Sequence, residues 1–190
     1  MSLGDDLLTT ARSLARARPK KPRQADLRRA VSTSYYAAFH ALARECADRL
    51  VGTSSTHSAT AWRQVYRGLE HGPAKQACAR AANLEFPDGI VGFAGIFLEL
   101  QEERHRADYD PTARYTRKEA NEIVGRAAQA IRDLRSAPRN DRTAFAALAL
   151  IRRGREARVE TIGGGQHRCY LDDPARWHRV LTAFMAEKVA

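Results

Sequence analysis

The sequence predicts an all-α protein, an up-and-down antiparallel helical bundle carrying a C-terminal extension. Apolar residues recur at i, i+3, i+4 and i+7 along most of the chain, the period of a helix with one buried face. Alternating Val, Ile and Thr runs are nearly absent, apart from one short strand candidate at 158–162. Prolines mostly punctuate the periodic stretches rather than interrupt them.

The first helix is expected over residues 5–17, where Leu7, Leu8, Ala11, Leu14 and Ala15 share a face. Pro19 and Pro22, among Lys20, Lys21 and Arg23, break the chain. A second helix is expected over 24–50 with the stripe Leu27, Val31, Tyr35, Ala38, Leu42, Cys46 and Leu50, and Gly52 lies just past its end. A third helical region, 57–84, is expected to split at Gly72-Pro73. Phe86-Pro87-Asp88-Gly89 reads as a turn. The helix after it, 90–107, is apolar on nearly every side through Leu100, which suits the most buried place in a bundle. Thr116 and Glu119 form a capping-box pattern for a helix with Ile123, Val124, Ala127, Ala128, Ile131 and Leu134, ending before Pro138. The body is therefore placed at 1–137. Residues 138–190 are assigned to a basic, partly helical extension. It would hold a helix at 139–153, a turn at Gly163-Gly164-Gly165 and a short helix at 174–188, with Asp172 or Asp173 as its cap and Pro174 in its first turn.

The chain has 190 residues, 44% of them apolar, enough for one domain with a core that needs no disulfide or metal. No apolar run reaches the roughly 18 residues of a membrane span. Residues 1–8 hold Asp5 and Asp6 and no apolar segment, so no secretory signal is expected. Cys46, Cys78 and Cys169 are odd in number and widely spaced, which argues against a disulfide framework or a CxxC knuckle. A cytoplasmic protein is expected. Lys and Arg total 32 against 22 Asp and Glu, a net charge of +10, and such a surface points to nucleic acid.

Two polar clusters stand out. Arg28, Ser32, Tyr36 and His40 follow each other at four-residue spacing and form one stripe on the second helix. A guanidinium, two hydroxyls and an imidazole together suit phosphate or sugar contact. The second cluster, Arg104-His105-Arg106-Ala107-Asp108-Tyr109-Asp110, closes the most apolar helix. Arg104 and Asp108 are four apart there, within ion-pair reach, so a guanidinium can be held ready for an anion.

The segment from Arg28 to His40, with Ser32, Tyr35, Tyr36, Ala37 and Phe39 between, and the later Arg104 to Asp110 resemble, in order and separation, the HEPN domain (higher eukaryotes and prokaryotes nucleotide-binding). The resemblance spans roughly residues 5–136. It implies an antiparallel bundle that dimerises, with RNA or a nucleotide as ligand. In many members an arginine and a histidine separated by four to six intervening residues cleave RNA at the dimer cleft without metal. These members are often the toxin of a toxin–antitoxin pair whose partner is a minimal nucleotidyltransferase. Such a pair makes chemical sense: the arginine neutralises the scissile phosphate while the imidazole moves a proton. Carried onto this chain, Arg104 would hold phosphate and Asp108 would orient it. Tyr109, Ser32, Tyr36 and His40 would line the cleft, with Arg28 and His105 as further binding residues. The chain departs from the pattern at two places: after four intervening residues Arg104 is followed by Tyr109, not histidine, and Thr33 replaces a common arginine. A tyrosine hydroxyl, with its usual pKa of about 10, is a poor base at neutral pH. His105 is adjacent to Arg104, and neighbours on a helix diverge by about 100°. An RNA-acting protein with a degenerate nuclease motif is the first expectation. A non-catalytic module binding a nucleotide or a nucleotidyltransferase is the alternative.

No cofactor or metal is expected. Gly163-Gly164-Gly165 lacks the following Lys-Ser/Thr of a phosphate loop, and the six histidines, at 40, 57, 71, 105, 167 and 178, show no metal-binding spacing. Trp62, Tyr66 and Trp177 read as packing residues.

Overall fold

A computed structural model describes residues 2–18 and 20–151. The described residues form a bundle of seven α-helices: α1 (Leu3–Arg16), α2 (Gln24–Leu50), α3 (Ala59–Gly68), α4 (His71–Ala81), α5 (Asp88–Tyr109), α6 (Arg117–Ser136) and α7 (Arg139–Leu150). A single 3-10 turn, Ala82–Leu84, follows α4, and no strand occurs among the described residues. The expected strand at 158–162, the glycine turn and the helix at 174–188 lie outside the described residues.

The helices start where the side chains cap them. Ser2 Oγ accepts from Asp5 N at 3.2 Å and Ser2 N donates to Asp5 Oδ2 at 3.2 Å, so α1 opens before residue 5. The capping box at Thr116 forms as expected, with Thr116 N donating to Glu119 Oε2 at 2.7 Å and Glu119 N donating to Thr116 Oγ1 at 3.2 Å. The expected split of the third helical region moves. The break falls at Leu69-Glu70, and Gly72-Pro73 lies in the first turn of α4. A proline is tolerated there because the first backbone N–H groups of a helix have no partner inside it.

The centre of the bundle is α2, not the strongly apolar α5. Sixteen of the 27 residues of α2 are buried, against six of the 22 of α5. Much of that burial comes from Ala30, Ala37, Ala41, Ala43 and Ala47, with Ser32, Thr33 and Ser34, whose small side chains let neighbouring helices approach on several sides. Leu50, expected on the buried stripe, is exposed at the end of the helix. α2 packs against α1, α3, α5, α6 and α7, while α5 packs against α2, α4 and α6. Gly89 marks a close crossing, since a Cβ there would stand 2.8 Å from the Asp133 carbonyl oxygen on α6.

α7 packs on α2 and α4, and Phe145 is fully buried against Phe86 and Phe93. The helix placed in the extension from sequence thus contributes to the core.

One polar clamp positions the functional region. The Gln24 side chain donates to Tyr115 O at 2.9 Å and accepts from Tyr115 N at 2.9 Å. This joins the start of α2 to the loop that leaves α5.

Candidate functional site

The C-terminal end of α5 lies against the N-terminal half of α2, and the contacts climb α2 one turn at a time. Arg28 comes first. Its Nε donates to Ala107 O at 2.6 Å and an Nη donates to Asp110 O at 2.8 Å. Carbonyls at a helix end lack partners within the helix, and a cation there also meets the negative end of the dipole. Arg28, expected among the ligand-binding residues, therefore caps α5.

One turn on, Ser32 is fully buried and its Oγ donates to Asp108 Oδ2 at 3.1 Å. A further turn on, Tyr36 Oη accepts from Arg104 Nη2 at 2.9 Å. Arg104 Nε also lies 3.0 Å from Asp108 Oδ2, as an ion pair without hydrogen-bond alignment. The guanidinium carbon sits 5.6 Å from the Tyr36 ring centre and 5.3 Å from that of Tyr109. Two rings, a phenol oxygen and a carboxylate thus hold one cation. Such a guanidinium loses little further freedom when it grips an anion. Tyr109 is 63% exposed, and its ring lies 4.9 Å from that of the exposed His105.

Lys75, Arg104 and Arg106 line an open groove beside His105 and Tyr109, with Glu102 and Asp110 supplying its carboxylates. The Asp110 carboxyl is held below its ordinary value, chiefly by the Thr112 hydroxyl and backbone N–H.

His40 continues the stripe but faces another element. Its Nδ1 is 2.8 Å from the hydroxyl of Tyr66 on α3, and the two rings stack at 5.9 Å. Burial first, then the neighbouring His71, lowers its pKa. Trp62 stacks on Tyr66 and donates from Nε1 to Asp48 Oδ1 at 2.8 Å, so both aromatics pack α3 onto α2.

A residue outside both clusters joins the site. His71, at the start of α4, has its Nδ1 2.7 Å from Tyr35 Oη, and its ring is 6.2 Å from the Tyr36 ring. Burial first, and then the charge of Arg104, lowers its pKa, so it is neutral at neutral pH. Tyr35 is buried, which raises its pKa and keeps its phenol protonated. The sequence puts Tyr35 on the apolar stripe of α2 and gives His71 no role. The signal was the Tyr35-Tyr36 pair: consecutive phenols on one helix diverge by about 100° and serve two different neighbours.

Among the described residues no group of three or more His, Cys, Asp or Glu side chains is placed to hold a metal ion. Burial pushes the Cys46 thiol up to about 12 and raises that of Cys78, so neither is a thiolate at neutral pH. No helix among the described residues is long and apolar enough to cross a membrane.

No protein-family model matches the chain, and no curated protein or solved structure matches it either.

Proposed function

We propose that the chain is an RNA-binding protein of the HEPN type, the toxin-like component of a toxin–antitoxin pair, acting as a homodimer in the cytoplasm. The observation that carries this reading is the restraint on Arg104, with Tyr36 Oη at 2.9 Å and Asp108 at 3.0 Å, at a groove it shares with Lys75 and Arg106. A fixed fork of donors matches the oxygens of a phosphodiester, and the two lysine and arginine neighbours add sequence-independent attraction. The resemblance of the Arg28–His40 and Arg104–Asp110 segments to HEPN proteins supports the same reading.

The test is the affinity of the full chain for fluorescently labelled tRNA and a transcribed mRNA, followed by anisotropy. Arg104→Ala should weaken binding about tenfold or more, since a charge-assisted contact contributes about 1.5–3 kcal/mol. Unchanged affinity would overturn the reading.

The exposure of Tyr109 favours a second reading, a non-catalytic module that binds a nucleotide or a partner nucleotidyltransferase. An open phenol beside an anion groove suits a stacked base or a docked protein face. Tight binding of ATP with no measurable affinity for either RNA would select it.

A further inference from the structure

We propose that the loop joining α1 to α2 is a second phosphate-binding site, and that it extends the RNA track from the Arg104 groove across the α5–α6 connection. This inference rests on the RNA reading above and adds to it the path of the strand.

Residues 16–29 hold seven Lys and Arg side chains and a single acid, Asp26. Arg28 is engaged by the end of α5. Arg18, Lys20, Lys21 and Arg23 are exposed, and none of them forms an ion pair among the described residues. With Pro22 and Gln24 these four line an open groove to which no described carboxylate contributes. Like charges gathered this closely raise the local potential, and a polyanion that displaces its own counterions relieves it.

The loop backbone is fixed. Arg117 Nη2 donates to Arg18 O at 2.8 Å, and Lys21 N donates to the same oxygen at 3.1 Å. Arg18 has φ 53°, in the left-handed region that a non-glycine residue seldom adopts. At the other end of the loop, the Gln24 side chain is clamped to the backbone of Tyr115. The segment that carries the four cations is thus in place before a strand arrives, which lowers the cost of ordering it on binding.

The same clamp sets the loop beside the functional region. Tyr115 lines a groove with Arg106 and Arg114, and Arg106 also lines the groove of Lys75 and Arg104. Cations therefore follow one another from Lys75, through Arg106 and Arg114, to the loop. The carboxylates of the middle groove are occupied: Glu103 accepts from Tyr115 Oη at 2.8 Å, Glu119 caps α6, and Glu122 lies 3.9 Å from Lys118. The rise along α2 from Gln24 to Tyr36, which holds Arg104, is about 18 Å at 1.5 Å per residue. A single nucleotide cannot reach both sites, and a longer strand can.

An anionic membrane is the other polyanion a basic loop could meet. Stable adsorption there takes buried apolar side chains as well as charge, and residues 16–24 contain no apolar residue larger than proline. RNA is the better match.

The full chain is compared with a loop variant, Lys20→Ser with Lys21→Ser and Arg23→Ser, and with a control of equal charge loss, Arg63→Ser with Arg67→Ser and Arg139→Ser. The control arginines are exposed on α3 and α7, which meet the C-terminal half of α2 at His40, Asp48 and Glu45. Circular dichroism checks each fold. Anisotropy over a salt series gives affinity for a labelled single-stranded RNA of about 20 nucleotides, longer than a usual binding site. The loop variant should bind about tenfold or more weakly at low salt. Its slope of log affinity against log salt should shrink by about two, three contacts at about 0.7 each. The control should stay within about threefold of wild type, as should Lys20→Arg with Lys21→Arg, which keeps the charges. Three results would each overturn the loop site and leave RNA binding standing: a loop variant within threefold of wild type, equal losses in loop and control variants, or a loop variant that loses only its sedimentation with phosphatidylserine vesicles. If wild type does not bind the RNA at all, the functional reading and this inference fall together.

Discussion

At the scale of single residues, the four members of the stripe on α2 have different tasks although the sequence presents them alike. Spacing shows that Arg28, Ser32, Tyr36 and His40 share a face, but it does not reveal that α5 ends against the first three and α3 covers the fourth. Arg28 is the clearest case, since its two hydrogen bonds go to carbonyls of α5. Arg28→Ala should cost about 1–3 kcal/mol in urea unfolding with an unchanged denaturant slope, and should move RNA affinity far less than Arg104→Ala. An RNA effect equal to that of Arg104 would mean that Arg28 contacts the ligand. Asp5 offers a pH test. Burial opposes its ionisation, but hydrogen bonds from the Ser2 side chain, Arg135 and the Ser2 backbone outweigh this and bring its carboxyl from 3.8 down to about 2. A carboxyl depressed in the folded state stabilises above its unfolded pKa and loses that contribution as pH falls through the folded one. Thermal melts of wild type and Asp5→Asn should therefore differ by a constant amount above about pH 4, and the gap should close toward about pH 2. A gap independent of pH would assign the effect to packing.

At the scale of elements, the sequence located most helices and misjudged which of them lies at the centre. Periodicity weights Leu, Ile, Val and Phe, so α5, with Ile90, Phe93, Phe97 and Leu100, stood out. The central helix is α2, where alanines and hydroxyl residues allow close approach on faces that carry little hydrophobic signal. The boundary expected at 137 rests on Pro138, yet a proline also opens a helix well, and Pro138 immediately precedes α7. Two substitutions check this arrangement. Phe145→Ala should cost about 3–5 kcal/mol in urea unfolding, as for a large core aromatic, whereas an appended helix would give less than about 0.5 kcal/mol. Gly89→Ala would press a methyl to 2.8 Å from a backbone oxygen of α6 and should cost about 1–3 kcal/mol. Neither backbone approach nor small-residue packing leaves a periodic trace, which is why neither was legible.

At the scale of the whole molecule, a net charge of +10 raises the question of whether RNA would be held by bulk attraction or at one groove. Some of the positive charge is engaged in ion pairs. Arg126 pairs with Glu99, Arg135 with Asp5 at 2.9 Å and Arg142 with Glu45 at 2.9 Å. Arg104 is paired too, but at 3.0 Å to one carboxylate oxygen that also accepts from Ser32, and Lys75 and Arg106 share its groove. Phosphate contacts release counterions, so log affinity should fall with log salt by about 0.7 per contact on a single strand. Arg139, exposed at the start of α7, tests the bulk contribution. Arg139→Ala should change the slope by less than one contact and the low-salt affinity by less than about threefold. Arg104→Ala should remove about one contact from the slope and also lower affinity about tenfold or more, because the lost guanidinium was already restrained by Tyr36 and Tyr109. Equal effects of the two substitutions would reduce the interface to net charge. A slope near zero would remove phosphate from the recognition altogether, because no groove lined by Lys75, Arg104 and Arg106 can bind RNA without displacing its counterions.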